Sequence, residues 1–165
     1  MSALTEVLQT HHRRENFSCG NTALDTYLRE QARQDMKKKV SVCFVHSTPD
    51  HHVIGYYTLS NGSIPRTDLS IPHQHTLPRY EQLPVTLLGR LAIDQTHQRK
   101  NLGTLLLIDA LKRSLDASTE IASYAVFVDP INESAIRFYE RFGFIQLPDS
   151  GKMFLPMKTI GEIER

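Results

Sequence analysis

The sequence predicts an α/β (α+β) fold built on a mixed central sheet of about six or seven strands. Three observations predict it. Residues 87–93 form an apolar run of strand length that passes through a short polar, basic turn into a long apolar helix over 102–117, and then into a buried-type strand over 121–128. A strand–helix–strand unit makes its two strands parallel neighbours. Upstream, residues 40–46 and 53–60 are rich in β-branched and aromatic side chains, are separated by turn residues, and read as an antiparallel hairpin. Downstream, further strand-like segments begin at Phe142 and at Lys152.

Taken in order, residues 5–8 read as a short strand. Gly20 breaks the chain and Asn21 is a candidate N-cap. The helix after it places Leu24, Tyr27, Leu28, Ala32 and Met36 on a core face. On the other side Arg29, Arg33 and Lys37 recur every four residues and run into Lys38 and Lys39. This stripe fits a solvated face with cations near the helix C-terminus, where the dipole favours them, and it fits a patch that tracks phosphates. In the hairpin, Tyr56 and Tyr57 are expected on opposite faces, one in the core and the other along a substrate groove. Residues 61–84 hold Pro65, Pro72, Pro78 and Pro84 with Arg66, His75 and Arg79, and read as a long irregular loop overhanging the acceptor side. The helix over 102–117 carries one narrow polar stripe of Asp109, Lys112, Arg113 and Asp116, so the sheet is expected to cover most of it. A last helix over 133–141 sets Ala135, Ile136 and Tyr139 on one side, with Glu133, Arg137 and Glu140 on the other. A short polar tail ends at Arg165.

The turn between residues 96 and 104 is the chemical centre of this pattern. A basic, glycine-containing turn that feeds a helix N-terminus presents free backbone N–H groups and the positive end of the helix dipole. Arg99 and Lys100 add full charges, so a phosphate or pyrophosphate is the expected guest.

A chain of 165 residues has the length of one domain, 1–165, with a sizeable core. Its net charge of +1 demands no nucleic acid, so any basic surface is local. Cys19 and Cys43 lack metal-like spacing and suit a reduced, cytoplasmic protein. The first dozen residues are too polar for a signal peptide, and no apolar run approaches a membrane span. Among the eight histidines, the pairs His11-His12 and His51-His52 would point to opposite faces of a strand and make poor chelates. His73 and His75 could share a face but have no acidic or cysteine companions, so no metal is expected.

Two segments resemble the GNAT acetyltransferases. Gln98-Arg99-Lys100-Asn101-Leu102-Gly103 resembles their pyrophosphate loop, Gln/Arg-x-x-Gly-x-Gly/Ala, with Asn101 in place of the first glycine. Asn is the non-glycine residue that best tolerates left-handed backbone. The run from Asn132 through Ala135, Phe138-Tyr139 and Gly143-Phe144 resembles their Asn-x-x-Ala-x-x-Phe-Tyr-x-x-x-Gly-Phe ending. A narrower resemblance covers nearly the whole chain. Phe17, Cys19-Gly20, Leu24, Tyr27-Leu28, Gly55-Tyr56-Tyr57-Thr58-Leu59 and Leu88-Gly89-Arg90-Leu91-Ala92 look like the GNAT toxins of toxin–antitoxin modules.

The resemblance implies a sheet splayed between two parallel strands, flanked by about four helices. It implies acetyl-CoA as co-substrate, its arm paired with the backbone of Leu91, Ala92 and Ile93 and hydrogen-bonded by Asn132, and its pyrophosphate held by Gln98, Arg99, Lys100, Asn101, Leu102, Gly103 and Thr104. Tyr139 falls at the family's general-acid position, where a phenol would protonate the departing thiolate. The toxin resemblance implies aminoacyl-tRNA as acceptor, Arg29, Arg33, Lys37 and Lys38 as tRNA contacts, a homodimer, and a ribbon-helix-helix antitoxin as partner.

No carboxylate stands out as general base; Asp94 can simply terminate its strand. An α-amine, with a pKa near 7.7–8.0, is already about a tenth neutral at pH 7, whereas a lysine amine near 10.4 is almost wholly charged. The missing base therefore leans toward an α-amino acceptor. A small-molecule or peptide N-acetyltransferase, or a binding protein without catalysis, is the alternative on the same scaffold.

Overall fold

The computed structural model describes residues 4–163. Its sheet has seven strands in the order β1-β2-β3-β4-β5-β7-β6: β1 (Glu6–Val7), β2 (Val42–Ser47), β3 (Val53–Pro65), β4 (Gln82–Ile93), β5 (Ala125–Val128), β6 (Ile145–Gln146) and β7 (Met153–Pro156). Strands β1 and β2 are antiparallel, as are β2 and β3, with Phe44 opposite Tyr57. Strands β4 and β5 are parallel, and β5–β7 and β6–β7 are antiparallel. The mixed sheet expected from the strand–helix–strand unit and the hairpin is thus present. The chain divides into two compact units, Met1–Ser60 with Leu88–Leu111, and Asn61–Leu87 with Lys112–Arg165.

The first unit contains α1 (Thr22–Thr26), a π-helical turn (Tyr27–Gln31), α2 (Ala32–Lys37) and the start of α4 (Leu102–Ala117). The Asn21 side chain caps α1, accepting from the Leu24 N–H, as expected. Its core gathers Leu8, Phe17, Leu28, Ala32, Val45, Tyr56 and Ala92. Gly55 is required by close approach: a Cβ there would lie 2.8 Å from Leu106 Cδ1 and 3.1 Å from Ile93 Cδ1. Tyr56 and Tyr57 do point to opposite faces, but both are fully buried. The Tyr56 hydroxyl donates to the Leu24 carbonyl, and the Tyr57 hydroxyl donates to the Asp109 carboxylate. Neither lines a groove, because each phenol finds a partner inside the unit.

The second unit contains α3 (Ile71–His75), α5 (Glu133–Glu140) and α6 (Met157–Ile163) around a core of Ile64, Leu69, Leu83, Val85, Phe127, Leu147 and Phe154. Here the expectation of one long irregular loop over 61–84 fails. Strand β3 continues to Pro65, a 3-10 turn follows at Arg66–Asp68, α3 begins with Pro72 in its first turn, and β4 starts at Gln82. The prolines punctuate short elements rather than prevent them, since proline suits a strand end and a first helical turn. The strand expected over 121–128 forms only from Ala125, with Ile121 exposed. Strand β7 stops at Pro156, short of the expected Lys158, and the chain from Met157 into the expected polar tail forms α6, which buries Met157 and Ile160; Arg165 lies outside the described residues.

Candidate active site

Asp94 ends β4 and organises the turn beyond it. Its carboxylate accepts from the Ser18 N–H at 2.9 Å, the Thr96 N–H at 3.1 Å and the Thr96 hydroxyl. Burial opposes its charge, but the hydrogen bonds from the Thr96 side chain and from the Ser18 and Thr96 backbone outweigh it and hold the carboxyl below its ordinary pKa. Asp94 is therefore a cap for the 3-10 turn at Gln95–His97. The Gln98 side-chain amide donates to the Cys19 carbonyl at 2.9 Å and to the Ile93 carbonyl at 2.8 Å. That side chain is engaged in holding the loop, and one carbonyl of the Leu91–Ala92–Ile93 segment is already bonded to it. Nothing in the spacing of residues 98–104 signalled this tie to Cys19, which comes from a distant part of the chain.

The loop itself alternates in hand. Arg99 has φ 65° and Asn101 has φ 61°, while Lys100 between them is not left-handed. Successive N–H groups in such an alternation converge into an anion-binding concavity. The left-handed conformation foreseen for Asn101 is present, and its carbonyl accepts the Leu105 N–H at 3.1 Å, opening α4. The N–H groups of Leu102, Gly103 and Thr104 then have no acceptor within the helix, by helix geometry. Arg99, Lys100 and Asn101 are exposed. The residues from Arg99 to Thr104 thus present backbone N–H groups without helical acceptors, with two cations at the rim, an arrangement that suits an anion.

In the second unit, the β4–β5 register runs Val85↔Ala125, Thr86↔Val126 and Leu87↔Phe127. Asn132 caps α5, its Oδ1 accepting the Ala135 N–H at 2.8 Å. That oxygen is committed to the helix, which narrows any role in binding to the rest of the side chain. Tyr139 lies in the last turn of α5 with 9% of its surface exposed. After it the chain reverses at Gly143, whose φ of 94° suits glycine, and the Phe144 N–H reaches back to the Tyr139 carbonyl. This reversal sets the Phe144 ring 5.2 Å from that of Tyr139, edge-on. The Tyr139 hydroxyl makes no hydrogen bond with the described residues and is not closed off from solvent. Burial pushes the phenol up to about 12, so the group carries its proton throughout the neutral range.

The basic stripe is less regular than its spacing suggests. The π turn lies between α1 and α2, so the step from Arg29 to Arg33 crosses it while the step from Arg33 to Lys37 is α-helical. The Arg29 guanidinium donates to the Phe17 carbonyl at 2.7 Å, which makes it a brace as well as a surface charge. Lys37 and Lys38 are exposed and Arg33 is half-buried.

The histidine geometry also differs from expectation. Residues 11 and 12 lie in a turn rather than a strand, and their rings are 4.2 Å apart. Ligand atoms of Glu6, His11 and His12 fall within 4.8 Å of one another. His12 is buried and bonded on both nitrogens: Nδ1 accepts the Gln9 N–H at 2.8 Å, so Nε2 carries the proton and donates to Glu6 at 2.7 Å. That tautomer serves a hydrogen-bond bridge; a metal at Nε2 would need the proton on the nitrogen that faces the Gln9 donor.

The family model for the acetyltransferase (GNAT) family matches residues 8–144. The chain belongs to the GNAT family. This GNAT chain is 36% identical over 144 residues, 87% of its length and 85% of the relative's, to a tRNA-acetylating toxin of Mycobacterium tuberculosis. It is similar, with a TM-score of 0.90 and 30% identity over 98% of both chains, to a solved structure of AtaT complexed with acetyl-methionyl-tRNAfMet. It is also similar, with a TM-score of 0.82 and 27% identity over 97% of this chain and 96% of the other, to a tyrosine-to-phenylalanine mutant of the AtaT toxin bound to the C-terminus of the antitoxin AtaR and acetyl-CoA. The seven-stranded mixed sheet with flanking helices is the GNAT fold.

Proposed function

We propose that this chain is a single-domain, acetyl-CoA-dependent N-acetyltransferase that acts as a toxin by acetylating the α-amino group of aminoacyl-tRNA. The observation that carries the reading is the 36% identity to a tRNA-acetylating toxin across most of both chains. In this reading the pyrophosphate of acetyl-CoA lies in the cradle of Arg99, Lys100, Asn101, Leu102, Gly103 and Thr104, which Gln98 holds in shape. The arm pairs with the backbone of Leu91, Ala92 and Ile93. Asn132 contributes its amide group.

Transfer is direct. The neutral amine attacks the thioester carbonyl, and a backbone N–H of the Leu91–Ile93 segment of β4 stabilises the oxyanion. Tyr139 then donates its proton to the departing sulfur. A phenol raised to about 12 remains protonated at working pH and is available as charge develops on the thiolate. Asp94, the carboxylate at the end of β4, is consumed by capping, which supports an acceptor that needs no strong base. Arg33, Lys37 and Lys38, with Arg29, supply cations for the tRNA backbone.

The same reading makes the protein a cytoplasmic homodimer neutralised by a ribbon-helix-helix antitoxin; the AtaT–AtaR complex supports the existence of an antitoxin partner. Among the described residues no helix is long and apolar enough to cross a membrane. The test is direct. Purified protein, labelled acetyl-CoA and charged tRNA are expected to yield N-acetyl-aminoacyl-tRNA. Transfer to free amines with none to charged tRNA would overturn the acceptor assignment.

A further inference from the structure

The second unit carries a cavity of about 510 Å³ that the reading above does not use. It is lined by Arg66, Gln74, His75, Leu77 and Arg79, with no carboxylate among them. Arg66 is held by its backbone: its N–H donates to the Glu81 carbonyl at 2.9 Å, and its carbonyl accepts the Leu69 N–H at 3.2 Å. Gln74 is held by its side chain, whose Nε2 donates to the Leu69 carbonyl at 2.7 Å. Its Oε1 then meets the Arg66 guanidinium only at a long 3.5 Å. The Arg66 Nε–H is buried and has no hydrogen-bond partner among the described residues. Such a donor is costly to leave unmade, and a charged one more so. Arg79 and His75 are exposed and make no ion pair with the described residues. The wall itself is anchored, because the His73 ring of α3 meets Phe154 of β7 edge-on at 5.5 Å.

We infer that this cavity binds a phosphate group of the RNA acceptor, a phosphodiester site separate from the Arg29–Lys38 stripe. The inference rests on the aminoacyl-tRNA reading. A guanidinium presents its donors as a planar fork that matches phosphate oxygens. Arg66, which lines the cavity, would present its guanidinium from below, Arg79 would close from the exposed rim, and the Gln74 amide would help fix the Arg66 fork. A coenzyme phosphate offers the same chemistry, so the experiment separates the two sources.

The variants are Arg79→Ala, at an exposed position, and Arg66→Lys, which keeps the charge but removes the fork. Thermal melts report whether each is folded. The readouts are binding of uncharged tRNA across a salt series, acetyl-CoA affinity by calorimetry, and acetyl transfer to an aminoacyl methyl ester, which has no RNA. The expected result is tRNA affinity about tenfold lower in each variant, as for loss of a charged hydrogen bond. The slope of log affinity against log salt should fall by about 0.7 to 0.9 for Arg79→Ala, the value for one phosphate contact. Acetyl-CoA affinity and ester acetylation should stay unchanged. Unchanged tRNA affinity and salt slope in Arg79→Ala would overturn the inference, and loss of acetyl-CoA affinity would reassign the cavity to the coenzyme. Wild-type protein that binds tRNA through these residues but transfers no acetyl group to charged tRNA would overturn the functional reading and leave this site standing.

Discussion

Residues 98–104, which lead into α4, and residues 132–144, which enclose α5, are both short motifs, yet they present different groups. The first presents backbone. Its Gln98 side chain is bound internally, its Arg99 and Asn101 are left-handed, and what it offers an anion is a ring of N–H groups. The second presents a side chain. Its backbone is occupied by capping and reversal, and what it offers is one phenol with an unbonded hydroxyl. A site made of backbone depends on conformation and tolerates changes of side chain. A site made of one side chain does not.

The largest effect expected from this contrast is at Tyr139. Tyr139→Phe should lower kcat by about 10²- to 10⁴-fold, the usual scale for a general acid. Stability and acetyl-CoA affinity should hardly change, because the hydroxyl makes no hydrogen bond with the described residues. A turnover equal to wild type would remove Tyr139 from the role. The pH profile gives a second view. With an α-amine acceptor, kcat/KM should rise as the amine loses its proton near 7.7–8.0. It should show no downturn from Tyr139 until pH approaches about 12, since a raised pKa keeps the acid protonated below it.

Gln98→Ala comes next. It removes two hydrogen bonds that shape the cradle and should weaken acetyl-CoA binding by about tenfold, at roughly 1 kcal/mol net per bond with partial replacement by water. Calorimetry reads this, and an unaltered affinity would mean the cradle needs no such tie. At Asn101 the requirement falls on the backbone itself. Asn101→Val forces a β-branched residue into left-handed geometry and should cost about 1–2 kcal/mol, seen as a lower melting temperature and looser acetyl-CoA. Asn101→Gly should bind acetyl-CoA at least as well as wild type. Equal behaviour of the two variants would show that the left-handed turn is not what matters.

Asn132→Ala should be milder, at about 1 kcal/mol of stability from the lost cap. A fall in acetyl-CoA affinity beyond that would add a direct contact. The smallest effect is at Asp94. Its folded pKa lies below the ordinary 3.8, so its stabilisation is present above that value and is lost as pH falls through the lower folded value. Asp94→Asn should flatten that part of the acid limb in a pH series of melting curves.

The hairpin, the parallel pair and the helix at Leu102–Ala117 follow from local pattern, because apolar runs of strand length and a sixteen-residue periodic helix have few other ways to bury themselves. So does the left-handed turn at Asn101, which needs only a residue that tolerates that geometry. The chain alone also carries the two GNAT motifs. Tertiary structure decided which side chains remain free. Tyr57 and Asp109, and Gln98 and Cys19, meet only after folding, and each meeting engages a polar group that sequence left available for function. The cavity of Arg66, Gln74 and Arg79 is a product of the same rule, since its shape depends on where Glu81 and Leu69 hold the backbone. Periodicity assigns a residue to a face; only the folded contacts determine whether its donors and acceptors are already used.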